Sequence, residues 1–209
     1  MDYLRQLITR YPALAPIGDD IRRACEILTE AFSGGGKLLV AGNGGSAADS
    51  EHIVGELMKS FVRKRKLSPG YVSALERVDP ELASYLAPRL QPALPAIALT
   101  GHNSLSSACI NDIDGNIAFA QQVCGYGNRG DVFLGISTSG NSKNVLYAAA
   151  AAKAAGMKVI ALTGGGGGRL ARIADAAIIV PGTETYRIQE LHMPVYHCLC
   201  LVLEEHFFP

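Results

Sequence analysis

The chain is organised around the apolar run Lys-Leu-Leu-Val-Ala at 37–41, which leads at once into Gly-Asn-Gly-Gly-Ser at 42–46 and a helix-permissive segment at 47–57. A short β-rich run that breaks into glycines predicts a turn at the carboxyl end of a strand, with a helix start just beyond. The free N–H groups and dipole of that helix start make the turn a candidate anion site. An ordinary turn between a strand and a helix would show the same pattern.

A second turn of this kind follows the strand-like run at 131–136. It reads Ser-Thr-Ser-Gly-Asn-Ser at 137–142, and an alanine-rich helical segment continues through Ala155. Four hydroxyls with backbone donors and no lysine suit a phosphate monoester held by neutral hydrogen bonds. Neither turn has the Gly-x-x-x-x-Gly-Lys-Ser/Thr of a P-loop, and 42–45 lacks the spacing of a dinucleotide fingerprint. The two turns together favour a phosphate site.

Composition limits the partners. The 209 residues are 48% hydrophobic and carry 19 basic and 19 acidic side chains, a formal net charge of zero. Bulk charge therefore gives no reason to expect a nucleic-acid or anionic-membrane partner. The sequence has no apolar stretch long enough for a membrane span and no signal-peptide pattern at its first residues, so we expect a cytoplasmic protein. Five cysteines without a Cys-x-x-Cys pair are expected to be reduced and mostly in the core.

Further apolar runs at 95–99, 158–162 and 176–180 alternate with helical patterns, which include 17–32 and a short segment at 3–11. Strands that alternate with helices predict a parallel sheet covered on both faces. We therefore predict an α/β fold, a three-layer αβα sandwich with a five-stranded parallel sheet. Ligands in such folds bind beyond the carboxyl ends of the strands, where both polar turns are placed.

Two helical segments carry further polar side chains. His52 and Glu56 are four residues apart, which puts them on one face of a helix. Gln189 and His197 are eight residues apart, about 12 Å along a helix, and could share an ion only if both side chains reached inward. Pro194 lies between them, and a proline inside a helix produces a kink. Each histidine alone would equally suit an ordinary structural position.

These motifs resemble a known family. Gly-Asn-Gly-Gly-Ser at 42–46 with His52 and Glu56, Gly-Ile-Ser-Thr-Ser-Gly-Asn-Ser at 135–142, and Arg-Ile-Gln-Glu-Leu-His at 187–192 are similar to the sugar isomerase (SIS) domain, a flavodoxin-like fold. Within it they resemble the phosphoheptose isomerases, from about residue 20 to the end. The resemblance implies a single domain over 1–209, an N-terminal helical region at about 1–33 that packs between subunits, and a homotetramer.

The resemblance also implies a reaction and a site. The reaction is the aldose–ketose isomerisation of sedoheptulose 7-phosphate to glycero-manno-heptose 7-phosphate through an enediol, a step of heptose or lipopolysaccharide biosynthesis. A divalent metal, typically zinc, would be held by His52, Glu56, Gln189 and His197, and Glu56 and His197 would be the catalytic acid/base pair. The sugar phosphate would be bound by Asn43, Gly44, Gly45, Ser46, Glu56, Ser137, Thr138, Ser139, Ser142 and Gln189.

This chain departs from the family pattern at three places. His102 stands where an acidic residue is expected, Ser60 where a basic residue follows the glutamate by one turn, and Tyr186 where an acidic residue precedes Arg-Ile-Gln. Compared with the family, residues 62–93 look like an insertion, and the basic run at 63–66 lies near its start. That run is expected to be a solvated face, and its position also allows a lid that guides an anionic substrate.

Five consecutive glycines at 164–168 favour a flexible loop over one that opens the backbone to a ligand.

The catalytic function has an alternative as well. A related branch of the fold has lost catalysis and binds the bacterial replication initiator protein, and it lacks the histidine that matches His197. A non-catalytic sugar-phosphate sensor is a further alternative. The presence of His197 favours the enzyme.

Overall fold

The computed structural model describes residues 2–209, which form a five-stranded parallel sheet between two layers of helices. The strands are β1 Leu38–Ala41, β2 Ala96–Ala98, β3 Val132–Ser137, β4 Lys158–Thr163 and β5 Ala176–Ile179. The helices are α1 Tyr3–Arg10, α2 Gly18–Ser33, α3 Gly45–Met58, α4 Pro69–Val78, α5 Pro80–Leu86, α6 Asn103–Asp112, α7 Ala118–Tyr126, α8 Lys143–Ala154, α9 Gly168–Ile173 and α10 Thr185–Phe207. The predicted α/β sandwich is confirmed.

The alternation of strand side chains explains the three layers. Leu38 and Val40 point into the core that α2, α3 and α10 cover, whereas Leu39 and Ala41 point into the core that α7 and α8 cover. Successive side chains of a strand face opposite sides of the sheet, so a strand that is apolar throughout must be covered on both faces.

The order of the strands, β2-β1-β3-β4-β5, places a topological switch beside β1. The chain leaves β1 toward one edge to form β2 and then returns past β1 to form β3, so the two connections diverge. In open α/β sheets the ligand crevice lies at this point, beyond the carboxyl ends of the strands. The two polar turns follow β1 and β3, the two strands that flank the switch.

Most predicted elements are confirmed within one or two residues of their ends, but the pattern missed α4 and α7. Helix α4 begins with a proline after Ser68, whose hydroxyl accepts a hydrogen bond from the Tyr71 amide at 3.3 Å. Apart from Ala83, helices α4 and α5 bury no residue, so these two short helices lie at the surface. Whether residues 62–93 are an insertion stays a prediction.

The basic run at 63–66 is not uniformly solvated, and the expectation of a solvated face or lid is wrong for Arg65. Lys64 and Lys66 are exposed, but the Arg65 side chain is completely buried. Its guanidinium pairs with Glu204 and donates to the backbone carbonyls of Glu56 and Leu57 at 3.1 and 2.8 Å. Arg65 therefore closes the carboxyl end of α3.

The glycine run at 164–168 forms a packed turn. Gly165 to Gly168 all have positive φ, a conformation that side chains rarely adopt. A Cβ at Gly140 would lie 2.0 Å from the carbonyl oxygen of Gly167, so the run lets the serine turn and the start of α9 touch backbone to backbone. Close packing, rather than a flexible loop, accounts for these glycines.

Two further expectations concerned membrane spans and the state of the cysteines. In residues 2–209 no helix is long and apolar enough to cross a membrane. The five cysteines are free thiols, as predicted, and four of them are buried, while Cys124 is exposed.

Candidate active site

The two polar turns lie together at the carboxyl edge of the sheet. Asn43, in the turn after β1, donates from Nδ2 to Oδ1 of Asn144 at 3.0 Å, and Asn144 returns a bond to Asn43 at 2.8 Å. Asn144 belongs to the first turn of α8 and was missed by sequence reasoning, although it stands only two residues after the serine turn. This reciprocal amide pair links the helix starts that follow β1 and β3.

Two glycines allow close contacts between the polar turn after β1 and helices α3 and α10. A Cβ at Gly42 would lie 2.5 Å from the carbonyl oxygen of Ser46, and one at Gly45 would lie 2.7 Å from Nε2 of Gln189. Both distances are too short for a real side chain, so the sequence needs glycine at both positions. The consequence is that Gln189 lies over the first turn of α3, where Gly44 and the buried Ser46 are also placed.

The serine turn after β3 is held by its own hydroxyls. Oγ of Ser137 lies 3.0 Å from Oγ of Ser142, and Oγ of Ser139 accepts a bond from the Asn141 amide at 3.2 Å. Ser142 precedes α8 without capping it by its side chain. The twelve-residue helix α8 starts at this turn, and the partial positive charge of its start favours an anion there, although the Val145 amide already donates to Oδ1 of Asn144 at 3.0 Å. Thr138 contributes its carbonyl oxygen to the Gly164 amide at 3.0 Å.

Further along α3, His52, Glu56 and His197 come together. Nε2 of His52 lies 3.2 Å from Oε1 of Glu56, and the rings of His52 and His197 are 5.0 Å apart between centroids. Phe61 packs on the other side of His197 with a centroid distance of 5.4 Å. The Glu56 side chain is only 13% exposed, so its carboxylate lies in a shielded place beside two imidazoles.

Lys59 replaces the missing basic residue. Ser60 occupies the position one turn after Glu56 where a basic side chain was expected, but Nζ of Lys59 lies 2.9 Å from Oε2 of Glu56. Side chains three residues apart on a helix face one another, as do those four apart. This spacing was visible in the sequence and would have identified Lys59.

Two further residues contact His52 and were also missed. The hydroxyl of Tyr196 lies 3.0 Å from Nδ1 of His52 and donates to Oδ1 of Asp49 at 3.2 Å. Tyr196 precedes His197 and is almost fully buried. The only sequence signal for Asp49 was its place one turn before His52.

Burial lowers the pKa of His197 below its usual 6.5; the nearby His52 acts in the same direction, and Glu56 opposes both. His197 is therefore neutral at pH 7, and its buried Nε2 has no hydrogen-bond partner among the described residues. A neutral imidazole with a free nitrogen can bind a metal or polarise a carbonyl group.

The donors fit a divalent metal in their chemistry. Two imidazole nitrogens and a carboxylate are the ligand types that zinc prefers. Within residues 2–209, however, no group of three or more His, Cys, Asp or Glu side chains is arranged to hold an ion. Gln189 lies against Gly45, about 10 Å along α3 from His52, so the structure does not bring all four expected ligands together.

Two cavities adjoin these groups. One of about 430 Å³ lies beside the first turn and is lined by Asn43, Gly44, Thr100, Asn103 and Asn144 among others. Another of about 460 Å³ lies between α1 and α10, where His197, Phe61 and Glu190 contribute to its wall. Among the described residues no hydrogen bond joins the serine turn to the cluster of His52, Glu56 and His197.

The two other departures from the family pattern are His102 and Tyr186. His102 precedes α6 and packs near Tyr126, with ring centroids 5.7 Å apart. Tyr186 is 55% exposed, and its hydroxyl accepts a hydrogen bond from Nε of Arg187 at 3.0 Å. Neither side chain contacts His52, Glu56 or His197.

Known proteins resemble this chain in sequence and in fold. The family model described as SIS domain matches residues 2–87 and 77–164. The phosphoheptose isomerase of Leptospira biflexa is 39% identical over 207 residues, covering 99% of this chain and 92% of the relative. The solved structure of the phosphoheptose isomerase from Neisseria gonorrhoeae has a TM-score of 0.75 and 33% identity, with 96% of this chain and 94% of that chain covered.

A phosphoheptose isomerase from Francisella tularensis is similar to the same degree, with a TM-score of 0.75, 35% identity, and coverage of 96% of this chain and 92% of that chain. Identity at this level over nearly the whole of both chains establishes the family. The chain therefore belongs to the SIS-domain family and, within it, to the phosphoheptose isomerases, a family of isomerase enzymes.

Proposed function

We propose that this protein interconverts sedoheptulose 7-phosphate and the corresponding aldose, glycero-manno-heptose 7-phosphate. The observation that supports this most directly is the shielded carboxylate of Glu56 beside two imidazoles, in a chain that aligns with phosphoheptose isomerases along 99% of its length. A homotetramer, a cytoplasmic location and a role in heptose or lipopolysaccharide biosynthesis stay predictions.

An aldose–ketose isomerisation moves a proton between adjacent carbons and needs a base at the carbon and an acid at the oxygen. In our proposal Glu56 accepts the proton from the carbon next to the carbonyl group while His197 gives its ring proton to the carbonyl oxygen, which yields the enediol. Glu56 then returns its proton to the former carbonyl carbon, and His197 recovers a proton from the other enediol oxygen, which becomes the new carbonyl group. Lys59, with Nζ 2.9 Å from Oε2 of Glu56, would hold this carboxylate in position for the substrate. His197 donates a hydrogen bond to the carbonyl oxygen as a neutral imidazole, which suits its lowered pKa.

The phosphate would be bound at the helix starts. The hydroxyls of Ser46, Ser137, Thr138, Ser139 and Ser142 are donors without positive side-chain charge. The starts of α3 and α8 would add the partial positive charge of a helix end. Asn43 and Gln189 would contact the sugar hydroxyls next to them. Holding the phosphate end fixes the reacting carbons, and orientation of this kind lowers the barrier by several kcal/mol, up to about 7 to 11.

We also propose that His52, Glu56 and His197 hold a divalent metal, with zinc the best match to these ligands. Gln189, which lies against Gly45, is too far along α3 to join them in this structure. When bound, such an ion would supply Lewis-acid stabilisation of developing negative charge on oxygen. The unpartnered Nε2 of His197 and the approach of His52 to Glu56 support the proposal.

The decisive experiment is turnover by the purified protein of a panel of ketose and aldose phosphates with five to seven carbons, with and without added zinc. Conversion of the heptose phosphate well above that of the pentose and hexose phosphates would support the proposal. Binding of sugar phosphates without turnover of any of them would contradict it and would instead identify a non-catalytic sensor.

A further inference from the structure

A partly buried hydrogen-bond chain adjoins the active site. It runs from Asp49 through the hydroxyl of Tyr196 to Nδ1 of His52, with distances of 3.2 and 3.0 Å. Asp49 and His52 lie on α3, whereas Tyr196 lies on α10 and is 1% exposed. The chain therefore ties together the two helices that carry Glu56 and His197.

The direction of the bond to Asp49 sets that of the bond to His52, because the hydroxyl of Tyr196 donates to Oδ1 of Asp49. A tyrosine hydroxyl has one proton, and an ionised carboxylate can only accept. The hydroxyl gives its proton to Asp49, so its oxygen must receive one from Nδ1–H of His52.

We propose that Asp49 and Tyr196 are positioning residues that hold His52 in the Nδ1-protonated tautomer, with the lone pair of Nε2 turned toward Glu56. In a neutral imidazole a proton on Nδ1 leaves Nε2 as an acceptor. The inference rests on the proposed function only in treating His52 as a ligand of the active-site cation.

The tautomer has a direct consequence at the other ring nitrogen. Nε2 of His52 and Oε1 of Glu56 are 3.2 Å apart. With the proton on Nδ1, Nε2 of His52 and Oε1 of Glu56 both present lone pairs to each other. A cation bound between these two acceptors removes their repulsion. The opposite tautomer would place an Nε2–H donor against Glu56 and would close this place to a metal. Imidazole ligands of metals are commonly held in this way, through the other ring nitrogen.

Packing alone does not explain Tyr196. A buried phenylalanine would fill the same space, whereas a buried hydroxyl is costly unless it finds a hydrogen-bond partner. Here it has two partners, both on α3 and one of them a residue of the active site.

The test is the tautomer of His52 in metal-free protein labelled with ¹⁵N in its histidine rings. Spectra at about pH 8.5, above the usual histidine range, are assigned by loss of the His52 signals in His52→Asn. We expect a protonated Nδ1 and an unprotonated Nε2 in the wild type. In Tyr196→Phe the proton should move to Nε2, where Glu56 accepts it, and zinc affinity should fall roughly 10- to 100-fold. Tyr147→Phe, an exposed tyrosine on α8, is the matched control and should change neither.

Asp49→Asn keeps an acceptor oxygen and should stay closer to the wild type than Asp49→Ala in both measurements. A wild-type His52 that is protonated on Nε2, or on both nitrogens, would overturn the inference even if the variants do not fold. An unchanged tautomer and zinc affinity in folded Tyr196→Phe would overturn it as well. Turnover is not used, so an inactive protein with the expected tautomer would contradict only the proposed function.

Discussion

The guanidinium of Arg65 lies 3.0 Å from Oε1 of Glu204, and the two side chains are 0% and 1% exposed. Glu204 also accepts hydrogen bonds from the amides of Phe61 and Val62, both at 2.8 Å. The pair joins the end of α10 to the segment after α3, and Arg65 also binds the Glu56 carbonyl oxygen at 3.1 Å. A buried ion pair thus fixes the last turn of the helix that carries Glu56.

Removing one member of this pair should destabilise the protein strongly. We expect Arg65→Met to lower the free energy of unfolding by about 3 to 5 kcal/mol, because Glu204 would remain buried without its partner. The double variant Arg65→Met/Glu204→Leu should lose less than either single variant, and Lys66→Met, an exposed neighbour, should lose almost nothing. Chemical denaturation would measure all four. A loss for Arg65→Met no larger than that for Lys66→Met would show that the pair does not stabilise the fold.

The same carboxylate predicts a pH dependence of stability. Burial alone would raise the pKa of Glu204, but the amides of Val62 and Phe61 and the charge of Arg65 outweigh it and hold the pKa below the usual 4.5. A group whose pKa is lowered by folding stabilises the protein above its unfolded pKa, and this contribution is lost as pH falls through the folded value. Denaturation between pH 6 and pH 3 should therefore show a steeper acid loss for wild type than for Glu204→Gln, and parallel curves would contradict the prediction.

Loss of serine hydroxyls should weaken phosphate binding. Ser139→Ala together with Ser142→Ala removes two hydroxyls of the turn after β3, and hydrogen bonds to a charged group contribute about 1.5 to 3 kcal/mol each. Calorimetry with a sugar phosphate that does not turn over should show a loss of a few kcal/mol, with Ser73→Ala on α4 as control. Unchanged affinity would remove the serine turn from the site.

Replacing the proposed base should separate chemistry from binding. Glu56→Gln keeps the size of the side chain but cannot accept the substrate proton, so turnover should fall by roughly 100-fold or more. Binding of the phosphate end and the thermal midpoint should stay close to those of wild type. Glu76→Gln, an exposed glutamate on α4, provides the control. Retention of wild-type turnover in Glu56→Gln would exclude this residue as the base.

Replacing His197 should affect metal and chemistry together. His197→Asn should abolish turnover and reduce zinc content after purification, because one imidazole is proposed to serve both purposes. Metal analysis and the activity assay measure the two effects, and His206→Asn near the end of α10 is the matched control. Full zinc content with no turnover would remove His197 from the ligand set while retaining it as the acid.

The sequence by itself determined the strands, the two polar turns and the pairing of His52 with Glu56. Each depends on local spacing: strand side chains alternate with a period of two, and helical neighbours recur after three or four residues. The same spacing could have revealed Lys59, which lies three residues after Glu56.

Only the tertiary structure decided which of two similar neighbouring residues is buried and which distant residues it contacts. Arg65 and Lys66 are adjacent cations, yet one lies in the core because Glu204, 139 residues away, comes to meet it. Tyr196 reaches Asp49 and His52 across 147 and 144 residues, a contact that the packing of α10 on α3 creates. Contacts of this kind produce no local spacing pattern in the sequence, because they are stabilised by burial and pairing between segments that are distant in the chain.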